Sequence, residues 1–113
     1  MTCLVVDDEP HLRSILMRLL TSEGFQCREA GSGREALDAL GREPADLVVS
    51  DIRMPEMDGT QLLAELRVRW PDTAVVMVTA VSEVASAIYC LTQGALDYVA
   101  KPFQVEDVRA RVR

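Results

Sequence analysis

No run of about 18 consecutive apolar residues occurs in the sequence, so no helix read from it spans a bilayer. The start, Met1-Thr2-Cys3-Leu4-Val5-Val6, has no basic stretch ahead of its apolar one, which argues against a signal peptide. Cysteine is sparse. Cys3, Cys27 and Cys90 form no metal-like cluster, and an odd count without a secretion signal points to a reducing cytosol and no disulfides. Cys3 and Cys27 lie in strand-like runs and read as small apolar core residues. Linkers, repeats and low-complexity stretches are also missing. Basic residues are in deficit, 12 Lys and Arg against 18 Asp and Glu, and the net charge of −6 argues against duplex DNA or an anionic membrane as the direct partner. It suits a protein that binds a cation. What is present is 113 residues, 49% hydrophobic and 27% charged, enough for one soluble domain with one core.

The apolar pattern alternates between strand and helix periods. Cys3–Val6 is a short apolar run. Leu12, Ile15, Leu16, Leu19 and Leu20 then line one helical face, with Pro10 suited to its first turn and Gly24 to its end. Phe25–Glu29 reads as a second strand. Ser32 and Glu35 have capping-box spacing ahead of Ala36, Leu37 and Leu40, and Gly41 is the expected stop. Leu47–Ser50 is a third strand. Asp58 and Gln61 repeat the cap spacing before Leu62, Leu63, Leu66 and Trp70, and Pro71-Asp72 is a turn. Ala74–Val78 is a fourth strand, Ser82 a cap for a helix bearing Val84, Ala87, Ile88 and Leu91, and Gly94 its close. Leu96–Val99 is a fifth strand, and Val105, Val108 and Val112 face one side of a last helix that runs off the end of the sequence. That ending suggests a parent protein that continues, and no effector motif follows residue 113. Continuous apolar strands between amphipathic helices imply an α/β domain, an open doubly wound parallel sheet covered on both faces, over residues 1–113.

In such sheets, sites form beyond the carboxyl ends of the strands. Asp7, Asp8 and Glu9 follow the first strand, Asp51 the third, Thr79 the fourth, and Lys101 comes close behind the fifth. Each has a plain alternative alone: Asp7-Asp8 as charges favoured by a helix N-terminus, Asp51 as a turn cap, Thr79 as a β-branched strand end, Lys101 as a solvated charge, Tyr98 as a half-buried strand aromatic. Their coincidence at one sheet edge, in complementary types, defeats those alternatives. Repelling carboxylates need a cation, and hard oxygen ligands without His or Cys favour Mg²⁺ or Mn²⁺ over Zn²⁺. Asp7, Asp8 and Asp51, if ionised, balance Mg²⁺ plus Lys101, leaving a nearly neutral site that admits a phosphoryl donor. Asp51 is the best nucleophile, since carboxylates form aspartyl phosphates.

These residues resemble the receiver domain of two-component response regulators over essentially the whole chain. Leu4-Val5-Val6-Asp7-Asp8-Glu9-Pro10 is similar to that family's first strand and acidic pair. Asp51-Ile52-Arg53-Met54-Pro55-Glu56-Met57-Asp58-Gly59 is similar to its phosphorylation loop, Val78-Thr79-Ala80 to its switch threonine, and Lys101-Pro102-Phe103 to its lysine segment. The resemblance implies a flavodoxin-like fold with strand order 2-1-3-4-5. It implies that Asp51 accepts phosphate from a histidine kinase or histidine phosphotransfer protein. Asp8 and Asp51 would bind Mg²⁺ directly with the backbone carbonyl of Arg53, and Asp7 largely through water. Thr79 and Lys101 would bind the phosphoryl group, and Tyr98 would be the switch aromatic relaying the signal to an effector domain or partner protein. A cis Lys101-Pro102 bond, a cytoplasmic setting and dimerisation or partner binding through the fourth helix, fifth strand and fifth helix are further implications.

An aspartyl-phosphate phosphatase or mutase would place a second acid two residues after the nucleophile, where Arg53 stands. A dinucleotide site would need more than Gly31-Ser32-Gly33, which follows the second strand and is followed by Ala36, so the glycine pattern is incomplete and misplaced. A pure interaction module leaves the acidic pocket unexplained. A Mg²⁺ titration followed by Trp70 fluorescence, if Trp70 senses the site, separates these readings, and acyl-phosphate labelling does so better. The resemblance implies that the residues two after the phosphoacceptor and two after the switch threonine, here Arg53 and Val81, flank the path of a hydrolytic water. Neither can accept its proton, so a long-lived phosphorylated state is expected, the plain alternative being that both side chains point into solvent.

Overall fold

A computed structural model describes residues 1–102 and 104–112; Phe103, Arg113 and the facing of the Val105 side chain, on which the sequence raises expectations, lie outside what it describes. Five strands, β1 (Thr2–Val6), β2 (Gln26–Ala30), β3 (Leu47–Asp51), β4 (Ala74–Ala80) and β5 (Asp97–Lys101), pair in parallel in the order β2-β1-β3-β4-β5. Helices α1 (Pro10–Ser22), α2 (Gly33–Arg42), α3 (Gly59–Arg69), α4 (Val84–Thr92) and α5 (Val105–Val112) connect or follow them, and a one-turn 3₁₀ helix, Val81–Glu83, precedes α4. Every residue of β3 is buried, as a central strand covered on both faces requires.

Alternation along the strands sorts the core into two layers. Leu4, Val6, Val48, Val75 and Met77 meet the buried faces of α2, α3 and α4. Cys3, Val5, Leu47, Val49, Val76, Val78 and Val99 meet α1 and α5 through Leu16, Leu19, Leu20 and Val108. The flavodoxin-like order expected from the sequence is thus the observed one.

Local expectations fare unevenly. Ser32 accepts the Glu35 backbone N–H at 3.1 Å, whereas Asp58 and Gln61 complete both arms of a capping box. Gly41 does not stop α2, which continues to Arg42, because a helical glycine in open space meets no barrier. Ser82 does not cap α4; it lies within the 3₁₀ turn, and no side-chain cap bond starts that helix. The apolar stripe assigned to α4 is also rotated. The buried residues are Ala87 and Cys90, while Ile88 and Leu91 are exposed along with Tyr89. Because Val-Ala-Ser-Ala-Ile-Tyr-Cys-Leu-Thr carries no charge, periodicity alone could not fix which face turns inward. Phe25 and Leu96 precede their strands, while β3, β4 and β5 run on to Asp51, Ala80 and Lys101. Those extensions place Asp51, Thr79 and Lys101 within the last residues of their strands, held by the ladder.

Candidate phosphoryl-accepting site

Asp51 closes β3 with 7% of its surface exposed. Its Oδ1 accepts the Ile52 backbone N–H at 2.8 Å, and its Oδ2 lies 3.2 Å from the Lys101 ammonium. Lys101 stands two strands away on β5. The registers Asp51↔Val78, Val78↔Val99 and Ala80↔Lys101 put both side chains on the α1/α5 face. The lysine stem therefore spans β4, about 9–10 Å of sheet, and only a long cation suffices. The Lys101-Pro102 peptide bond is cis, as the resemblance implied.

Asp7 follows β1 and has no exposed surface. Its backbone N–H donates to the Ala30 carbonyl at 3.1 Å, and its Oδ1 accepts the Glu9 N–H at 2.9 Å. Its Oδ2 is buried without a hydrogen-bond partner. One oxygen from each of Asp7, Asp8 and Asp51 lies within 4.8 Å of the others. Desolvation by burial pushes Asp7 up to about 6, with the Asp51 and Asp8 charges adding to the rise and the Glu9 bond and Lys101 opposing it. Burial likewise raises Asp51, against the pull of Lys101. A buried carboxylate oxygen left unpaired among like charges is an uncompensated cost. A hard divalent cation removes it, so these residues fit Mg²⁺ or Mn²⁺. Glu9 is not in this cluster; it caps α1, accepting the His11 and Leu12 N–H groups at 2.9 and 2.7 Å. Its place immediately before Pro10 was the signal.

The loop from Asp51 to Gly59 is tightly held. The Ile52 N–H donates to the Val78 carbonyl at 3.1 Å, and the Gly59 N–H to the Ile52 carbonyl at 2.7 Å. A Cβ on Gly59 would run into the Asp51 carbonyl oxygen, so only glycine allows α3 to start this close to Asp51. Glu56 adopts φ 68°, left-handed backbone that a glutamate enters at some expense.

Thr79 is fully buried, and its hydroxyl donates to the Ala80 carbonyl at 3.0 Å. Because Met77 pairs with Tyr98, Thr79 and Tyr98 are diagonal neighbours on the opposite sheet face, toward α4. Tyr98 is half-buried against that core layer. Arg53 is 74% exposed along its side chain, and its Nη2 pairs with Glu83 Oε1 at 2.8 Å. Glu83 also accepts the Ser86 hydroxyl at 3.3 Å. Val81 is 68% exposed. Sequence patterning missed Glu83, whose contact with Arg53 spans 30 residues, and Arg13, which bonds the Asp7 carbonyl at 2.6 Å across the turn between β1 and α1, because periodicity does not specify side-chain partners. Trp70 caps the far end of α3, just before β4 begins, and so stands at the opposite sheet edge from the acidic cluster. It is no reporter of this site.

The family model described as "Response regulator receiver domain" matches residues 3–113. The DNA-binding transcriptional regulator NtrC of Klebsiella pneumoniae is 43% identical over 108 residues, 96% of this chain and 23% of that protein. The regulatory protein AtoC of Escherichia coli strain K12 is 41% identical over 110 residues, 97% of this chain and 24% of that protein. The chain thus spans about a quarter of the length of these relatives. The crystal structure of the receiver domain of NtrX from Brucella abortus superposes with TM-score 0.93 at 31% identity, covering 97% of this chain and 93% of that one.

Proposed function

Since the chain belongs to the response regulator receiver domain family, we propose that it is a phosphorylation-dependent switch whose acceptor is Asp51. The observation that carries this reading is the orphaned Asp7 Oδ2 inside a three-carboxylate cluster whose nucleophile is already bonded to Lys101. Asp8, Asp51 and the Arg53 backbone carbonyl would hold Mg²⁺, with Asp7 acting behind them. When bound, the ion supplies charge neutralisation for the phosphoryl oxygens and the carboxylates.

Asp51 attacks phosphorus in line with the donor, a histidine kinase or histidine phosphotransfer protein. An oxygen–phosphorus bond forms as the donor's nitrogen–phosphorus bond breaks. The Ile52 N–H on Oδ1 fixes the plane of the attacking carboxylate. Lys101, set against Oδ2, is placed to follow the developing phosphoryl charge. Thr79 then turns its hydroxyl from the Ala80 carbonyl to a phosphoryl oxygen, and Tyr98, its diagonal neighbour, re-packs toward the space released. The domain catalyses only this transfer to itself and the slow hydrolysis of the product, in which water attacks phosphorus, the Asp51 oxygen–phosphorus bond breaks and inorganic phosphate leaves. Within a longer protein, the switch acts on an effector domain or partner, a transcriptional one if it follows its relatives.

Acetyl phosphate with Mg²⁺ tests the chemistry. Wild type is expected to gain one phosphoryl group by mass spectrometry; Asp51→Asn, or wild type in EDTA, is expected to gain none. Labelling of the asparagine variant would refute the site.

A further inference from the structure

Apart from its carboxylate, Asp7 is tied at both backbone ends. Its N–H is held by Ala30, and its carbonyl accepts Arg13 Nη1 at 2.6 Å. Arg13 lies one turn into α1 and is only 18% exposed along its side chain. Its Nε donates to Glu29 Oε1 at 2.7 Å, so two directed bonds set the guanidinium fork. Glu29 sits on β2, one residue before the Ala30 carbonyl that holds Asp7. A Cβ on Gly31 would approach Arg13 Nη1 to 3.4 Å, so the following turn leaves room for this fork.

The carbonyl that Arg13 holds belongs to the peptide joining Asp7 to Asp8. Rotation of that peptide unit would swing both carboxylates relative to Asp51. Resting on the Mg²⁺ site proposed above, we infer that Arg13 is a positioning residue for that site, clamping the Asp7–Asp8 peptide so that the cluster is preformed. This role can be separated from charge by its sign. A guanidinium beside a cation site repels the cation, so if only its charge mattered, removing it would tighten Mg²⁺ binding. A clamp predicts the opposite, since residues that orient ligands tune affinity by about tenfold or more.

Calorimetric Mg²⁺ titration of wild type, Arg13→Met and Arg13→Lys decides between these. The expected result is Mg²⁺ affinity about tenfold weaker in Arg13→Met, with Arg13→Lys in between because an ammonium donates one bond but lacks the fork. Acetyl phosphate labelling of both variants should be slow at limiting Mg²⁺ and recover at saturating Mg²⁺. Affinity in Arg13→Met equal to or tighter than wild type overturns the inference. Should Arg13→Met melt too early in EDTA to be titrated, Arg13→Lys, which keeps charge and stem, decides: wild-type affinity there overturns it. A wild type that takes up no Mg²⁺ overturns the metal site itself and the inference with it.

Discussion

At the scale of single residues, the side chains in the pocket take some partners from the next residue or two, as Asp7, Asp51 and Thr79 do, and others from far along the chain. Arg53 illustrates this. Its guanidinium is engaged by Glu83 and carries donors only, and Val81 offers a water no hydrogen bond, so neither side chain can accept a proton from a water attacking phosphorus. Replacing the pair by Arg53→Asn with Val81→Glu should shorten the life of the phosphorylated protein severalfold, measured as its decay in excess Mg²⁺ after donor removal. Equal or slower decay would contradict this account. Glu56 gives a separate test. Its left-handed backbone favours glycine, so Glu56→Gly should raise stability by up to ~1 kcal/mol in urea denaturation. The types and strand-end positions of Asp7, Asp8, Asp51, Thr79 and Lys101 were legible in the sequence, because a parallel sheet brings all its carboxyl ends to one edge, whereas Tyr98, second in β5, was singled out only by the family resemblance. The tie from Arg53 to Glu83 and that from Arg13 to Asp7 were not, since nothing in periodicity specifies which arginine meets which acceptor.

Among the helices, the stripes of α2 and α3 match the buried faces, that of α1 matches except at the exposed Ile15, and that of α4 matches only at Ala87 and the half-buried Val84. The nine uncharged residues of α4 gave no outward side, and the sheet accepts the small pair Ala87 and Cys90 instead of Ile88 and Leu91. Helix ends were legible where a side chain caps them, as at Asp58, and illegible at Gly41, where a glycine sits inside the helix without ending it. Two predictions belong here. Gly59→Ala forces a Cβ against the Asp51 carbonyl, so α3 and the acceptor must part; a loss of about 1–3 kcal/mol and slower acetyl phosphate labelling are expected. Thr79→Ala should still be labelled at Asp51 but should lose most phosphate-induced NMR shifts along α4 and β5. Shifts equal to those of wild type would break the proposed link between Thr79 and Tyr98.

For the molecule as a whole, the acidic cluster ties stability to pH and, through the proposed Mg²⁺ site, to metal. With its folded value near 6, above the ordinary 3.8, Asp7 holds a proton in the folded state that the unfolded chain has released. Folded protein then binds more protons than unfolded between about pH 4 and 6, so stability in EDTA falls as pH rises through that window, by on the order of 2–3 kcal/mol from Asp7. Asp51, raised in the same direction, adds to the fall, whereas Glu9, Asp46 and Asp58, held below their usual range, lose their contributions only at the acid side. At the proposed Mg²⁺ site the ion would compete with those protons, so the rise in Tm on adding it should be large at pH 7 and vanish near pH 4. A rise independent of pH would contradict this.

The three free thiols have different covers: Cys3 with no exposed surface on the inner strand β1, Cys90 equally buried on the inward face of α4, and Cys27 half-buried on the edge strand β2. Alkylation of each can proceed only when its own cover opens. The chain therefore carries three chemical clocks. Cys27 keeps time for breathing of the sheet edge, Cys3 for whole-domain opening, and Cys90 for the lifting of one shallowly seated helix, so that its reaction rate alone should quicken when Asp51 is phosphorylated.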